Sequence, residues 1–309
     1  MRPAQSKRLK RFKKTKTRGH FSLKKLLLLL FVFVVLFILY RRSIHFGALS
    51  KLTVVMPDVN GDVIVTTFDK KAEEITRIEV PGDTLVTLSR ELGEWRLKSV
   101  WQLGINEKVG GKLLAETVTK NFKFPIFAWS ETGGLGLTQE DLLSKIKAIF
   151  YPYDTNLGFG DRLTLAIFSL GVRNANRVEI DLSKTDYLNY TKLKDGVEGY
   201  TISGRMPQNL IVVFAEPTMA EKGIRIILKN NSGIKNLSSE VAGVLESLGG
   251  KVTANIEGNK EDIDCEVLVN NKIYAQIISS LLGCRIKQGL PEGNFDLEVR
   301  LGERFAKRF

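Results

Sequence analysis

Residues 224–256, IRIILKNNSGIKNLSSEVAGVLESLGGKVTANI, decide the fold class. The β-branched-rich run 224–228 reads as a strand, and Asn230-Asn231-Ser232-Gly233 as the loop that leaves it. Leu237, Val241, Val244, Leu245 and Leu248 then recur at the spacing of one helical face. Gly249-Gly250 end that helix as a left-handed cap would, and 252–256 is the next strand. The order then continues downstream. Cys265, Val267 and Val269 alternate as a strand does. Tyr274, Ile277, Ile278 and Leu281 form a second helical stripe that Gly283 closes, and residues 284–286 and the alternating Phe295, Leu297, Val299 and Leu301 complete the set. β-α-β-β-α-β with an extra strand predicts a split βαβ sandwich over 223–303, its helices on one sheet face. Each helix brings about four large apolar side chains, of order 1.5–3 kcal/mol apiece before entropy, which is enough for an independent domain.

Upstream, residues 52–56 and 62–68 are β-branched-rich and joined through Asn60-Gly61, a hairpin signal. Residues 75–80 read as a third strand, stopped by Pro81-Gly82. Residues 112–120, 143–150 and 162–170 read as helices, and 177–182 and 210–214 as strands. The chain is thus α+β, with a mixed α/β domain over 50–215. The 128–160 region shows no clear period, and the glycines of 131–136 read as a surface turn.

The 309 residues are 43% hydrophobic and 26% charged, an ordinary globular composition for about two domains. With 27 Gly, 8 Pro and 2 Cys, collagen, low-complexity disorder and a disulfide-framed miniprotein are excluded. The formal charge of +12 suggests a nucleic-acid binder until it is divided. Residues 1–25 hold 11 Lys/Arg and no acid, Arg41 and Arg42 follow, and residues 43–309 carry a net charge of −1. The basicity belongs to one arm, so no nucleic acid is expected on the body.

Residues 26–40 (LLLLLFVFVVLFILY) are fifteen uncharged residues between Lys24-Lys25 and Arg41-Arg42. As a helix they cover about 22 Å, short of a hydrocarbon core of about 30 Å. Snorkelling basic flanks, with Phe21 and Leu23, extend the reach. The expectation is a single transmembrane anchor at 26–40, with 1–25 a cytoplasmic polybasic arm on anionic lipid and the bulk extracytoplasmic. The alternative is a cleaved signal peptide ending near Ala48-Leu49-Ser50, against which Arg41-Arg42 argue.

Both histidines, His20 and His45, flank that segment, so the outer part has no imidazole. Ser-His-Asp, Cys-His and histidine-zinc chemistry are excluded there, and G-x-S-x-G, Walker A and Cys-x-x-Cys are absent. Catalysis would need Asp/Glu, Arg/Lys or a carboxylate-held hard metal. Cys265 and Cys284 are expected as buried thiols, on strands set either side of a third, about 9.5 Å apart and too far to bridge.

Two regions resemble one family, the LytR-CpsA-Psr proteins of the bacterial envelope. Asn-Asn-Ser-Gly-Ile-Lys-Asn-Leu-Ser (230–238), the amphipathic helix and Leu248-Gly249-Gly250-Lys251-Val252 are similar to the LytR C-terminal domain over about 223–303. Asn231 replaces that family's glycine, and Asn236-Leu237-Ser238 its G-L-A. Asp62-Val-Ile-Val-Thr and Ile78-Glu79-Val80-Pro81-Gly82-Asp83-Thr84-Leu85-Val86 resemble the catalytic domain's D-T-x-x-L-x strand and S-I-P-R-D-T-x-V motif. Gly110-Gly111, Leu113-Leu114-Ala115-Glu116-Thr117-Val118 and Phe124-Pro125-Ile126 follow its later order, so this match covers about 50–126.

The resemblance implies phosphotransferase chemistry, moving a glycopolymer from a polyprenyl-pyrophosphate carrier to peptidoglycan with a Mg²⁺-type ion. It points to Asp83 and Thr84 as the surviving catalytic candidates and to Asp83 as a metal ligand. Two departures weigh against activity. Gly82 stands where the motif has arginine, and no Arg-x-Arg occurs in the outer part, so the bidentate clamps that pyrophosphate needs are missing. Arg77, Arg90 and Arg96 lie nearby in sequence. The first expectation is a non-catalytic envelope protein without a cofactor, binding a cell-wall polymer, a polyprenyl-phosphate carrier or a protein. A Mg-dependent transferase with rearranged arginines and a plain assembly factor are the alternatives. The transferase requires two or more cations within about 4–6 Å of Asp83.

Overall fold

The computed structural model describes residues 23–41, 49–269 and 272–309. His20, His45, Arg42 and arm residues 1–22 lie outside them. The chain divides into two compact units, Met1–Ile38 and Leu39–Phe309. The described part of the first unit belongs to helix α1 (Leu23–Arg41), whose apolar side chains from Leu26 to Val35 are exposed on all sides. No helix among the described residues is long and apolar enough to cross a membrane.

The second unit is mixed α+β with several sheets. Its first sheet begins as the expected meander, β1 (Lys51–Pro57), β2 (Val63–Asp69) and β3 (Glu74–Val80). The β1–β2 turn closes through Asp58 and Asp62, with Gly61 at φ +91°. A small hairpin, β4 (Leu85–Thr87) and β5 (Glu94–Arg96), leads into α2 (Leu97–Asn106) and α3 (Lys112–Phe122). Next come β6 (Ala128–Trp129), α4 (Leu142–Phe150), α5 (Phe159–Gly171) and β7 (Arg177–Asp181). The hairpin β8 (Leu188–Lys192) and β9 (Glu198–Ile202) and the short helices α6 (Gln208–Phe214) and α7 (Pro217–Ala220) follow. The sheet order is β6-β1-β2-β3-β7, the two edge strands running parallel to their neighbours.

β1 and β2 are buried on both faces, which is why their sequences run apolar without alternation. On one face Val55, Val65, Ile78 and Val80 share a core with Leu97, Val100, Leu113 and Val118 of α2 and α3. On the other, Leu52, Val54, Met56 and Phe68 join Ala148, Ile149, Leu165 and Ala166 of α4 and α5.

Residues 210–214 are not a strand. Leu-Ile-Val-Val-Phe has strand composition, but Pro207 starts a helix in which Leu210 and Phe214, one turn apart, are both buried. The Lys51 ammonium then caps it, donating to the Val212 and Val213 carbonyls at 2.8 and 3.0 Å. Nor are 131–136 a plain surface turn: residues Thr132–Leu137 form a 3₁₀ turn that buries Gly134 and Leu137.

The second sheet contains β10 (Arg225–Asn231), α8 (Leu237–Ser247), β11 (Lys251–Glu257), β12 (Cys265–Val269), α9 (Lys272–Leu282), β13 (Arg285–Lys287) and β14 (Leu297–Gly302), with α10 (Glu303–Arg308) closing the chain. Its order is β11-β10-β14-β12-β13. Two βαβ pairs flank β14, which runs parallel to β10 and antiparallel to β12. The predicted helical stripes are the buried ones: Leu237, Val241, Val244 and Leu245 on α8, and Tyr274, Ile277 and Ile278 on α9. Gly249 and Gly283 take φ of +93° and +69° after their helices.

The cysteine expectation is corrected. β12 and β13 are neighbours, not strands separated by a third, so Cys265 and Cys284 lie 4.5 Å apart at Cα and are disulfide-bonded. The bridge spans 19 residues around α9, a loop whose closure contributes about 3 kcal/mol.

Candidate functional site at the Asp83 turn

Strand β3 ends at Val80, and the chain turns through Pro81-Gly82-Asp83-Thr84. The turn is held from inside by Thr84, which is buried and donates its N–H and hydroxyl to the Pro81 carbonyl at 3.1 and 2.7 Å. Thr84 is therefore a turn residue with its hydroxyl already committed. Gly82 donates its N–H to Asp62 at 2.8 Å and accepts from the Lys98 N–H at 2.9 Å. A Cβ at this position would sit 2.1 Å from the Gly61 carbonyl oxygen and 2.9 Å from Lys98 Cβ. The position that the resembling motif gives to arginine is closed to any side chain unless the β1–β2 turn moves away.

Asp83 points outward and meets two cations. Arg96, at the end of β5, donates from Nη1 at 2.9 Å, and Lys98, in the first turn of α2, places Nζ at 2.7 Å. Arg96 also forks onto Asp195, from the β8–β9 turn, at 2.8 and 3.3 Å, and donates to the Glu198 carbonyl at 3.2 Å. Two carboxylates thus face two cations, and the quartet is neutral. The hydrogen bond from Lys98, followed by that from Arg96, holds the Asp83 carboxyl below the usual carboxylate range. Arg96 does the same for Asp195. Asp195 and then Asp83 raise the Arg96 guanidinium further.

Of the three arginines near the motif in sequence, one arrives. Arg90 is instead clamped onto Glu116 of α3 at 2.9 and 3.2 Å, and Arg77 lies on β3 beside Glu79. Lys98 and Asp195 were not anticipated. Arg96 and Lys98 are brought together by the β5–α2 junction, and Asp195 comes from a hairpin about a hundred residues on, for which the local sequence carries no signal.

Beyond Gly82 lies an acidic neighbourhood. The Glu79 carboxyl is pushed up by burial and then by Asp62, with Asp181 and Asp58 adding to it against Arg77. Among the described residues no three His, Cys, Asp or Glu side chains are placed to hold a metal. Oδ1 of Asp83 accepts from both cations.

A cavity of about 370 Å³, at the small end for ligand sites, opens beside Arg96. Leu85, Trp95 and Leu193 supply its apolar wall. Its rim carries Glu94 and Lys194, themselves paired at 2.7 Å.

Two other motif residues are held by packing and hydrogen bonds within the fold. Asn230 is fully buried and donates to Glu257 and to the Ile234 carbonyl while accepting from Ser232, which ties the 230–234 loop to the end of β11. Gly111 lies between Trp101 and Trp129, where a Cβ would come within 2.4 Å of each ring.

No family profile matches the sequence, and no curated protein matches it. Solved structures do. Bacillus subtilis TagT is 14% identical, covering 50% of this chain and 85% of its own, with a TM-score of 0.36. B. subtilis TagV is 11% identical, covering 66% of this chain and 99% of its own, with a TM-score of 0.39. The LytR-CPS2A-psr family protein YwtF (TagT) with bound octaprenyl pyrophosphate lipid is 13% identical over 50% of this chain and 84% of its own, with a TM-score of 0.36. Likenesses of this size carry no argument about activity or ligand. One of these, YwtF (TagT), is a LytR-CPS2A-psr family protein, and that is the family that parts of the sequence resemble.

Proposed function

We propose that this chain is a membrane-anchored, extracytoplasmic relative of the LytR-CpsA-Psr proteins that binds an envelope component and does not transfer it. The observation that carries this reading is the neutral quartet beside a closed Gly82. Phosphoryl transfer depends on cations free to meet the charge developing on phosphate. Here Arg96 and Lys98 are held by Asp83 and Asp195, and no arginine fits at 82. The ligand classes are a cell-wall glycopolymer, a polyprenyl-phosphate carrier such as the one in the YwtF structure, or a protein partner.

The anchor is α1. Its charge-free portion is shorter than a bilayer core, so spanning needs snorkelling of its Lys and Arg flanks and local thinning of the lipid. Eleven basic residues before the charge-free segment 26–40 against two immediately after it set the amino-terminus inside.

The transferase reading keeps one observation in its favour, since two cations do converge on Asp83 as that chemistry requires. Incubating the purified protein with a polyprenyl-pyrophosphate glycan, Mg²⁺ and peptidoglycan separates the two. The expected result is retention on sacculi without glycan transfer, and metal-dependent transfer would reverse the assignment.

A further inference from the structure

Helices α4 and α5 form an antiparallel hairpin that carries apolar side chains on its outward side as well as its inward one. The Lys145 ammonium at one end donates to Ser169 of α5 at 3.1 Å, and at the other end the Phe150 and Phe159 rings stand 5.7 Å apart. Lys145 is 1% exposed, its charge turned inward toward Ser169 and the Gln139 carbonyl. Leu143 and Phe150 on the same helix are 70% and 66% exposed, and Ile146 lies between them on the outward stripe. On α5, Ile167 and Leu170 are likewise exposed, although Leu165 and Ala166 fill the core behind them. Both helices are apolar on their inner and outer sides, a pattern expected of helices covered all round. The outer stripes leave a patch of a kind that marks an interaction surface.

We propose that this outer face is a second membrane contact, lying in the lipid surface. The proposal rests on the anchored reading above. Two observations favour lipid as the occupant. The apolar helix α1 ends at Arg41 and β1 starts at Lys51, so only a short stretch of chain separates the body from the bilayer that α1 enters. The hairpin's tip also combines the residue types that membrane interfaces favour. Tyr151 is 68% exposed next to Phe150, Lys147 is exposed one turn earlier, and the Arg162 guanidinium lies 5.4 Å from the Tyr153 ring centre. An interfacial helix pair of this kind buries its apolar stripe at the acyl boundary and turns basic groups toward anionic headgroups.

The native cysteines are bridged, so one introduced cysteine labels one site. Full-length Phe150→Cys, carrying an environment-sensitive fluorophore, is reconstituted in phosphatidylcholine/phosphatidylglycerol vesicles, with Val59→Cys on the exposed β1–β2 turn as reference. Flotation reports the anchor separately. The expected result is flotation of both, with a blue shift and quenching by spin-labelled lipid at 150 but not at 59. Adding Leu143→Glu and Ile146→Glu to Phe150→Cys should abolish the shift while the protein still floats. Flotation with a fully hydrated probe at 150 overturns the hairpin contact and leaves the anchor standing. Failure to float overturns both. A shift that follows protein density per vesicle, with no quenching by lipid, overturns the proposal in favour of a second copy of the chain.

Discussion

Glu298 and Asp83 each sit between an arginine and a lysine, in opposite surroundings. Glu298, on the central strand β14, is completely buried. It accepts from Arg300 at 2.6 Å, from Lys229 at 3.1 Å and from the Glu292 N–H at 2.9 Å, and Lys229 also meets Glu292 at 2.6 Å. Asp83 has the same partners by type, but its carboxylate and Lys98 are both about half exposed. In the buried cluster the loss of Lys229 or Arg300 leaves the Glu298 carboxylate without water, whereas at the turn water and salt replace a lost partner. The difference separates scaffold from candidate site. A ligand cannot reach Glu298, and at the second cluster it must outcompete two carboxylates.

The comparison can be broken at several points. Lys229→Met should destabilise the fold by roughly 3 kcal/mol, read from denaturant midpoints, because Glu298 stays buried with half its compensation. A loss no larger than that of a surface substitution would show that the second sheet tolerates a bare carboxylate. Replacing Cys265 and Cys284 together with alanine should cost about 3 kcal/mol, measured against the oxidised wild type in which the two are bridged. Asn230→Ala removes a buried amide bonded to Glu257 and should cost about 2 kcal/mol, raising hydrogen exchange in 257–261 before that of β10.

The smallest effect concerns pH. The Asp83 carboxyl is held down in the folded state by Lys98 and Arg96. Its stabilisation is therefore present above the unfolded value of about 3.9 and is lost as pH falls through the lower folded value. Asp83→Asn should flatten the acid limb of stability slightly, and 0.5 M salt should erase the difference, at a Debye length of roughly 4 Å. For Glu298, burial alone would raise the carboxyl, but the bonds from Glu292, Arg300 and Lys229 outweigh it and bring it down. Its acid sensitivity should persist in salt.

The second sheet was readable because its helices carry one-sided stripes and end on glycine, local signals that tertiary packing preserved at Val241, Val244, Ile277 and Ile278. Strand order was not readable. The placement of β14 between β10 and β12 depends on long-range pairing, and that error separated the two cysteines that β12 and β13 bring together. Residues 210–214 misled because β-branched composition suits a strand, while Pro207 and the Lys51 cap, far away in sequence, favour a helix. At the candidate site, Asp83 and the missing arginine were legible from the motif. Its neutralisation was not, since Asp195 and Arg96 meet across a hundred residues. The outward apolar stripe of α4 escaped as well, because periodicity shows where apolar residues fall on a helix but not which stripe the fold covers.

Self-neutralisation of Arg96 and Lys98 is tested most directly by calorimetric titration of the protein with inorganic pyrophosphate, comparing wild type with Asp83→Asn/Asp195→Asn. Freed from their carboxylates, the two cations should bind the anion several-fold more tightly than in wild type, with a steeper dependence on salt. Tight, Mg²⁺-dependent binding by wild type that is lost in the double variant would mean that the carboxylates serve a metal, and would contradict the non-catalytic assignment.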